Sequence, residues 1–432
     1  MSTRILPIVT VTLEKIVGGG QTIATMEDGR KLFVWGGLPG ETVEVQLTKK
    51  KSRMGEGVVV NVITASDDRI EAKDPESFLS TSPWQIMAVE REQEYKAALI
   101  DEAFELHHMQ LPQPATIYSD DRLYGYRNKV EFSWYWNNET NTLDLAFFSR
   151  GTHRKLPVEG TSLMPDAVNE LAIKVRNILR GNGTNGFSLK TLMIRNSQSG
   201  AISAQLYVKE EDFDGMSDEA IESLGIQGFE VIFSNPKSPA SVITKHLKRW
   251  GSTTLVDTIA GIDFRYATES FFQINLPVYE RALLDMKEWI EPSKPTVDLY
   301  SGVGSIGLTI GSEHLTMVEV NESAVAEMRQ NIKQLGRKNA EAVLARSEHA
   351  LDYVTADATI IVDPPRAGLD ATVIDKLLET KPARIIYLSC NPTTQARDVT
   401  LLKDQYEIVA QQGYNFFPRT PHIEHLIVLQ SK

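Results

Sequence analysis

Thr296-Val297-Asp298-Leu299-Tyr300-Ser301-Gly302-Val303-Gly304-Ser305-Ile306-Gly307-Leu308 reads as a short apolar strand, a glycine-rich turn and the first turn of a helix. The glycines let the backbone approach a ligand closely, and the acidic residue late in the strand suits a nucleoside. Downstream, apolar runs alternate with helical stretches. The runs begin at Leu315, Ala342, Thr359, Arg384, Tyr406 and His425. Strand–helix alternation with continuous apolar strands predicts an α/β fold, a mostly parallel, doubly wound sheet. Ligands of such sheets bind at the carboxyl ends of the strands, so the residues there decide the chemistry.

Upstream the pattern differs. Residues 9–63 form short strand-like runs, such as Lys31–Trp35 and Thr42–Leu47, separated by Gly18-Gly19-Gly20 and Gly36-Gly37-Leu38-Pro39-Gly40. That spacing predicts a small β-barrel. The basic cluster Lys49-Lys50-Lys51-Arg53 is placed on a loop of it, as a solvated hairpin tip or an RNA backbone contact. A helix is predicted from Trp84 to about Leu106, and the aromatic run Tyr124–Trp136 is strand-like. Three units follow: a barrel over 1–66, an α+β central domain over 67–255, and a Rossmann-like domain over 256–432.

The chain has 432 residues, a net charge of −12 and one cysteine. One cysteine excludes an internal disulfide framework and a cysteine-ligated metal cluster. The acidic balance argues against coating long nucleic acid but leaves room for a local basic surface. No run reaches the roughly eighteen apolar residues of a membrane helix. The start, Met1-Ser2-Thr3-Arg4-Ile5-Leu6-Pro7, lacks the apolar core of a leader. A cytoplasmic monomer without membrane contact is expected.

The strand ends carry the candidate site. Glu319 closes the second strand, where a carboxylate can accept both hydroxyls of a ribose. No basic residue stands nearby for a 2′-phosphate, and the turn departs from the dinucleotide fingerprint. Both points favour S-adenosylmethionine over NAD. The fourth strand ends in Asp363-Pro364-Pro365-Arg366. The prolines stiffen the loop and prevent helix entry. Asp363 can then face a base and the cofactor's sulfonium. The fifth strand ends in Ser389-Cys390-Asn391-Pro392, so the only cysteine lies where active sites form. A helix start and the nearby Arg397 are expected to favour its thiolate. The loop Phe417-Pro418-Arg419-Thr420-Pro421-His422-Ile423 delivers Glu424 to the last strand. His422 and His425 are read as structural.

These residue types suit one reaction. Carbon 5 of uracil is a poor nucleophile. A thiolate adding to carbon 6 makes carbon 5 electron-rich, and a base must later remove its proton. Cys390 and Glu424 fill those two roles, with Asp363 against the imide edge of the ring. The base must leave its stack to reach them.

The chain resembles the RNA 5-methyluridine methyltransferases. The likeness rests on Ser270-Phe271-Phe272-Gln273-Ile274-Asn275, on Asp298 through Gly304, on Asp363-Pro364-Pro365-Arg366-Ala367-Gly368, on Ser389-Cys390-Asn391-Pro392 and on Phe417 to Glu424. Tyr126-Arg127-Asn128-Lys129 matches a central-domain segment, and residues 9–63 resemble a TRAM domain, an OB-like RNA-binding barrel. The resemblance implies that Cys390 is the nucleophile and Glu424 the proton acceptor. It places Gln273, Tyr300, Glu319 and Asp363 on S-adenosylmethionine, with Ser305 and Ser347 near further contacts, and it implies that the helix at about 84–106 packs on the catalytic domain.

Many relatives hold a [4Fe–4S] cluster on four cysteines. Here the corresponding stretch, Lys73 through Gln85, and the positions near Gly160-Thr161 have none, so no cluster and no metal is expected. The barrel favours 23S ribosomal RNA as substrate over the T-loop uridine of transfer RNA. The remaining alternatives are a non-catalytic RNA-binding protein and a small-molecule methyltransferase. The Cys390, Glu424 and Asp363 set speaks against the first, the extra domains against the second.

Overall fold

The computed structural model describes residues 6–152 and 154–432, so the segment 1–5 read above for a leader lies outside the described residues. The first sheet has six strands in the order Ile8–Thr12, Thr42–Lys50, Met54–Thr64, Lys31–Trp35, Thr22–Thr25, Lys15–Ile16. Alternation along Thr42–Lys50 turns Val43, Val45 and Leu47 inward onto Leu32 and Val34. Gly57 permits a close strand approach, since a Cβ there would stand 2.3 Å from the Val45 side chain. Lys49 and Lys50 belong to the strand end, not to the loop predicted for them, and Lys49 pairs with Glu56 at 3.0 Å.

A seven-stranded sheet follows, from Lys129–Asn137 to Lys245–Gly251 in chain order. The helix Asp166–Gly181 lays Val168, Leu171, Val175 and Leu179 along one face, against Phe132, Trp134 and Leu192.

The third large sheet has eight strands: Ala340–Leu344, Leu315–Glu319, Thr296–Leu299, Thr359–Val362, Arg384–Ser389, Glu424–Ser431, Tyr406–Tyr414 and Ile117–Tyr118. The first five are mutually parallel. Glu424–Ser431 runs antiparallel between its two neighbours. The amino end of that strand therefore lies at the carboxyl edge of the parallel ones. Burial of Ile360, Ile361, Ile385 and Ile386 on both faces accounts for the unbroken apolar runs.

The predicted helix from Trp84 starts later, at Val89, and ends at Glu105. The preceding residues are spent elsewhere. The Ile86 carbonyl accepts from the Ile70 amide at 2.9 Å, and the Trp84 indole donates to the Gly20 carbonyl of the barrel at 3.0 Å. The helix buries Leu99, Ile100 and Phe104 in one core with Val399 and Leu402 of the catalytic sheet's last helix.

Where cluster-bearing relatives are expected to have cysteines, a polar knot joins the segments. Gln85 donates to Ser82 Oγ at 2.6 Å and to Asp74 Oδ2 at 3.1 Å, and Ser162 Oγ donates to the same Asp74 oxygen at 2.8 Å. Among the described residues, no group of three or more His, Cys, Asp or Glu is placed to hold a metal ion.

Candidate active site

Strand register assembles the site. Leu299 pairs with Val318 and with Val362, so Tyr300, Glu319 and Asp363 leave three neighbouring strands at one level. Ser389 pairs with His425 across the antiparallel ladder. The next residues outward, Cys390 and Glu424, emerge side by side. Gln273 arrives from the other side, on the loop before helix Leu276–Lys287. Asn128, just ahead of the central strand Lys129–Asn137, holds it, donating from Nδ2 to the Gln273 carbonyl at 2.9 Å. One cavity of about 950 Å³ is lined by Gln273, Tyr300, Glu319, Asp363, Cys390 and Glu424. The structure thus brings all six sequence-predicted site residues together. Ser347 lines the cavity as well. Ser305 does not, and its hydroxyl lies 2.8 Å from that of Tyr279.

The turn after the first strand is tight. Tyr300, Gly302 and Gly304 have φ of 64°, 56° and 85°. A left-handed tyrosine costs on the order of 1–2 kcal/mol, and such strain gathers at binding sites. A Cβ on Gly302 would meet no protein atom, because that side faces the cavity. Glu319 is fixed from below: Oε2 accepts from the Gly302 amide at 3.0 Å and Oε1 from the Asn321 amide at 2.7 Å. Each oxygen keeps a lone pair for a diol. Val320 lines the cavity beside it with 60% exposure, an apolar wall left uncovered by protein. Ser270 also lines the cavity, and its hydroxyl is buried without a partner among the described residues. A fixed carboxylate, an apolar wall and carboxyls for a cation fit the ribose, adenine and sulfonium of S-adenosylmethionine.

Charge in the reactive corner is poorly compensated. Burial holds the Asp363 carboxyl well above the ordinary carboxylate range. Glu424 is raised further, by burial first and the Asp363 carboxyl second, with Arg366 opposing. Asp298 behind them is pushed up to about 8, mainly by burial, and one of its oxygens lacks a partner among the described residues. The Cys390 thiol is pushed up to about 11 by burial, then by the Glu424 and Asp363 carboxylates. This corrects the expectation of a resting thiolate. Arg397 is turned away, onto Asp398 at 2.6 Å, and Arg366 is the cation that lowers the thiol. The helix start is present. Asn391 caps Pro392–Leu402 by accepting from the Thr393 amide at 3.2 Å, and its Nδ2 donates to the Arg366 carbonyl at 2.9 Å. One residue thereby ties the cysteine turn to the proline-rich turn.

The two histidines part company. His425 is buried between Gln395 and Gln411, at 2.7 and 2.9 Å, in keeping with a structural role. His422 instead lines the cavity. Burial and the Arg366 and Arg127 guanidinia push it down to about 3, so it is neutral, and its Nδ1 lies 3.1 Å from Arg366 Nη2. Nδ1 is then the acceptor and Nε2 carries the proton. Sequence offered one signal for this: His422 precedes Glu424 by two residues in extended chain, so both side chains share a face. Arg127 and Phe271 also line the cavity, and Phe271 is 72% exposed.

A relative from Lactobacillus johnsonii described as an uncharacterized RNA methyltransferase is 31% identical, over 93% of this chain and 94% of its own. One from Enterococcus faecalis with the same description is 29% identical, over 93% of each chain. Among solved structures, the Pyrococcus abyssi tRNA (uracil-54, C5)-methyltransferase in complex with S-adenosyl-L-homocysteine matches 98% of this chain and 100% of its own. The TM-score is 0.79 and the identity 20%, a likeness of fold. The TRAM domain family matches residues 8–60. The family described as tRNA (Uracil-5-)-methyltransferase matches residues 90–432, and this chain belongs to it.

Proposed function

We propose that the protein methylates carbon 5 of a uridine in RNA, with 23S ribosomal RNA as substrate, Cys390 as nucleophile and Glu424 as base. The observation that carries this reading is that Cys390 and Glu424, each next to the Ser389–His425 pair that ends one ladder, share a cavity with Asp363. Gln273, Tyr300, Glu319 and Asp363 hold S-adenosylmethionine, which when bound supplies the methyl group.

Cys390 Sγ adds to carbon 6 of the ring. Its proton passes to Asp363, whose raised affinity suits it to keep one. The electron pair of the 5,6 double bond moves towards the carbonyl at carbon 4. Once carbon 5 is methylated, Glu424 as carboxylate removes the remaining proton there and gives it to solvent when the products leave. The pair re-forms the double bond and expels the Cys390 thiolate, which recovers its proton from Asp363. Burial favours the neutral form of each acid, so no charge is held long in the closed site.

A transfer RNA uridine is the second reading. The Pyrococcus likeness favours it, because a match over 98% of this chain includes the barrel. The barrel therefore does not by itself mark a ribosomal enzyme. The test is incubation of the protein with unmodified 23S ribosomal RNA or unmodified transfer RNA and labelled S-adenosylmethionine, followed by nuclease mapping. Label is expected as 5-methyluridine in 23S RNA. Label confined to transfer RNA would transfer the assignment, and label in neither would favour the binding-only alternative.

A further inference from the structure

A second cavity, of about 420 Å³, adjoins the reactive one and shares Arg127 and His422 with it as lining residues. Its volume lies in the range of small-ligand sites, roughly 300–1,000 Å³. The wall combines Arg127, Lys129 and Arg150 with apolar Val130, Phe147 and Met164. Lys129 is neutralised by Glu131 at 2.9 Å. Among the described residues, neither Arg127 nor Arg150 has a carboxylate at ion-pair distance. Both are held by neutral groups instead. The Arg150 guanidinium lies 4.3 Å from the Trp35 ring centroid and donates from Nε to the Leu79 carbonyl. That of Arg127 lies 5.9 Å from the Tyr126 ring, with Nε 3.5 Å from the Tyr126 hydroxyl. Stacking on an aromatic face leaves most of a guanidinium's N–H groups free. His422, on the partition between the cavities, is neutral and adds no compensating charge.

Two guanidinia without counter-ions at a concave, partly apolar site call for an anion that carries a planar apolar group. A nucleotide has that chemistry. An enzyme that draws one base from its stack must also hold the strand on either side. We infer that this cavity is a second nucleotide subsite. It takes the nucleotide next to the target uridine, its phosphodiester on Arg150 and Arg127 and its base against Val130, Phe147 and Met164. Trp35 gives the barrel a direct part in the subsite by orienting Arg150. The inference rests on the RNA reading above but not on the methylation chemistry.

The test uses the full chain and a hairpin RNA with a single loop uridine, with binding followed by fluorescence anisotropy. Neutral methylphosphonate links replace the phosphodiester on one side of the uridine, then on the other. At one of the two positions the neutral link should weaken binding roughly tenfold, and Arg150→Gln should weaken the unmodified RNA by a similar factor. Combined, the two changes should cost no more than either alone. Ser80→Trp, which puts a bulky ring into the cavity from its wall, should also abolish sensitivity to the link. Losses that multiply at both positions, or equal affinities for charged and neutral links, would overturn the subsite. Loss of methyl transfer with this coupling intact would count against the reaction proposed above and leave the subsite standing.

Discussion

The segment 415–425 has two faces, and both bury charge. On one face Glu92 and Lys96, fully buried on helix Val89–Glu105, meet Asn415, Phe417 and Arg419. Glu92 accepts from Lys96 Nζ at 2.9 Å, from Asn415 Nδ2 at 3.1 Å and from the Arg419 amide at 3.0 Å. On the other face Glu424 and Asp363 stand near a thiol, with Arg366 the cation that lowers Glu424. The first cluster sets two cations around one carboxylate and fixes the loop, with Arg419 Nε alone lacking a partner among the described residues of that cluster. The second gathers two carboxyls and a thiol around Arg366, and each of the three holds its proton more tightly than usual. Burial alone does not distinguish an active site here; raised acids that line an open cavity do.

The contrast yields an ordered set of outcomes. Cys390→Ala should lower methyl transfer by roughly 10⁴-fold or more while leaving thermal stability near that of the parent, since it removes a nucleophile and no packing anchor. Glu424→Gln should lower turnover by about 10²–10⁴-fold and trap RNA on the protein as a denaturant-resistant complex, visible as a shifted band on a denaturing gel. Normal turnover of that variant would remove Glu424 from the role of base. Glu92→Ala should behave in the opposite sense to the cysteine change. It leaves Lys96 buried without its partner and should cost about 3–5 kcal/mol in chemical denaturation. Glu319→Ala should weaken S-adenosyl-L-homocysteine binding by roughly 10–100-fold in calorimetry, the worth of hydrogen bonds to a charged acceptor.

A further outcome concerns pH. Asp298 has a folded value near 8, against an ordinary value of roughly 4. The folded state therefore binds more protons than the unfolded one between those limits. Stability is full below about pH 4 and declines as pH rises towards 8. Asp298→Asn keeps an oxygen acceptor for the Gly307 amide and should flatten that decline in melting curves taken across the window.

Much of this was legible in the sequence for a physical reason. Strands buried on both faces must be continuously apolar, so Thr296–Leu299, Thr359–Val362 and Arg384–Ser389 announced themselves, and the residues after them became candidates. Periodicity carries no strand direction. The reversal of Glu424–Ser431, which brings Glu424 beside Cys390, is a property of the ladder alone. The start of the helix at Val89 was hidden because the competing partners of Trp84 and Ile86 lie far away in the chain. The state of the thiol was misjudged because Arg397 is near in sequence but spent on Asp398, whereas the carboxyls that raise Cys390 arrive from other strands. Arg150 and Trp35 had no sequence signal, being joined only by the docking of barrel and central sheet.

The central claim is that Cys390 bonds to carbon 6 of a uracil, and Glu424 releases it by taking the proton on carbon 5. Substrate RNA made with 5-fluorouridine presents fluorine in place of that proton, so release is blocked after methyl transfer. Peptide-level mass spectrometry of the wild-type protein, incubated with this RNA and S-adenosylmethionine, should find a methylated fluoropyrimidine nucleotide on Cys390. Methylation of ordinary RNA with no adduct at Cys390 on the fluorinated one would contradict the account.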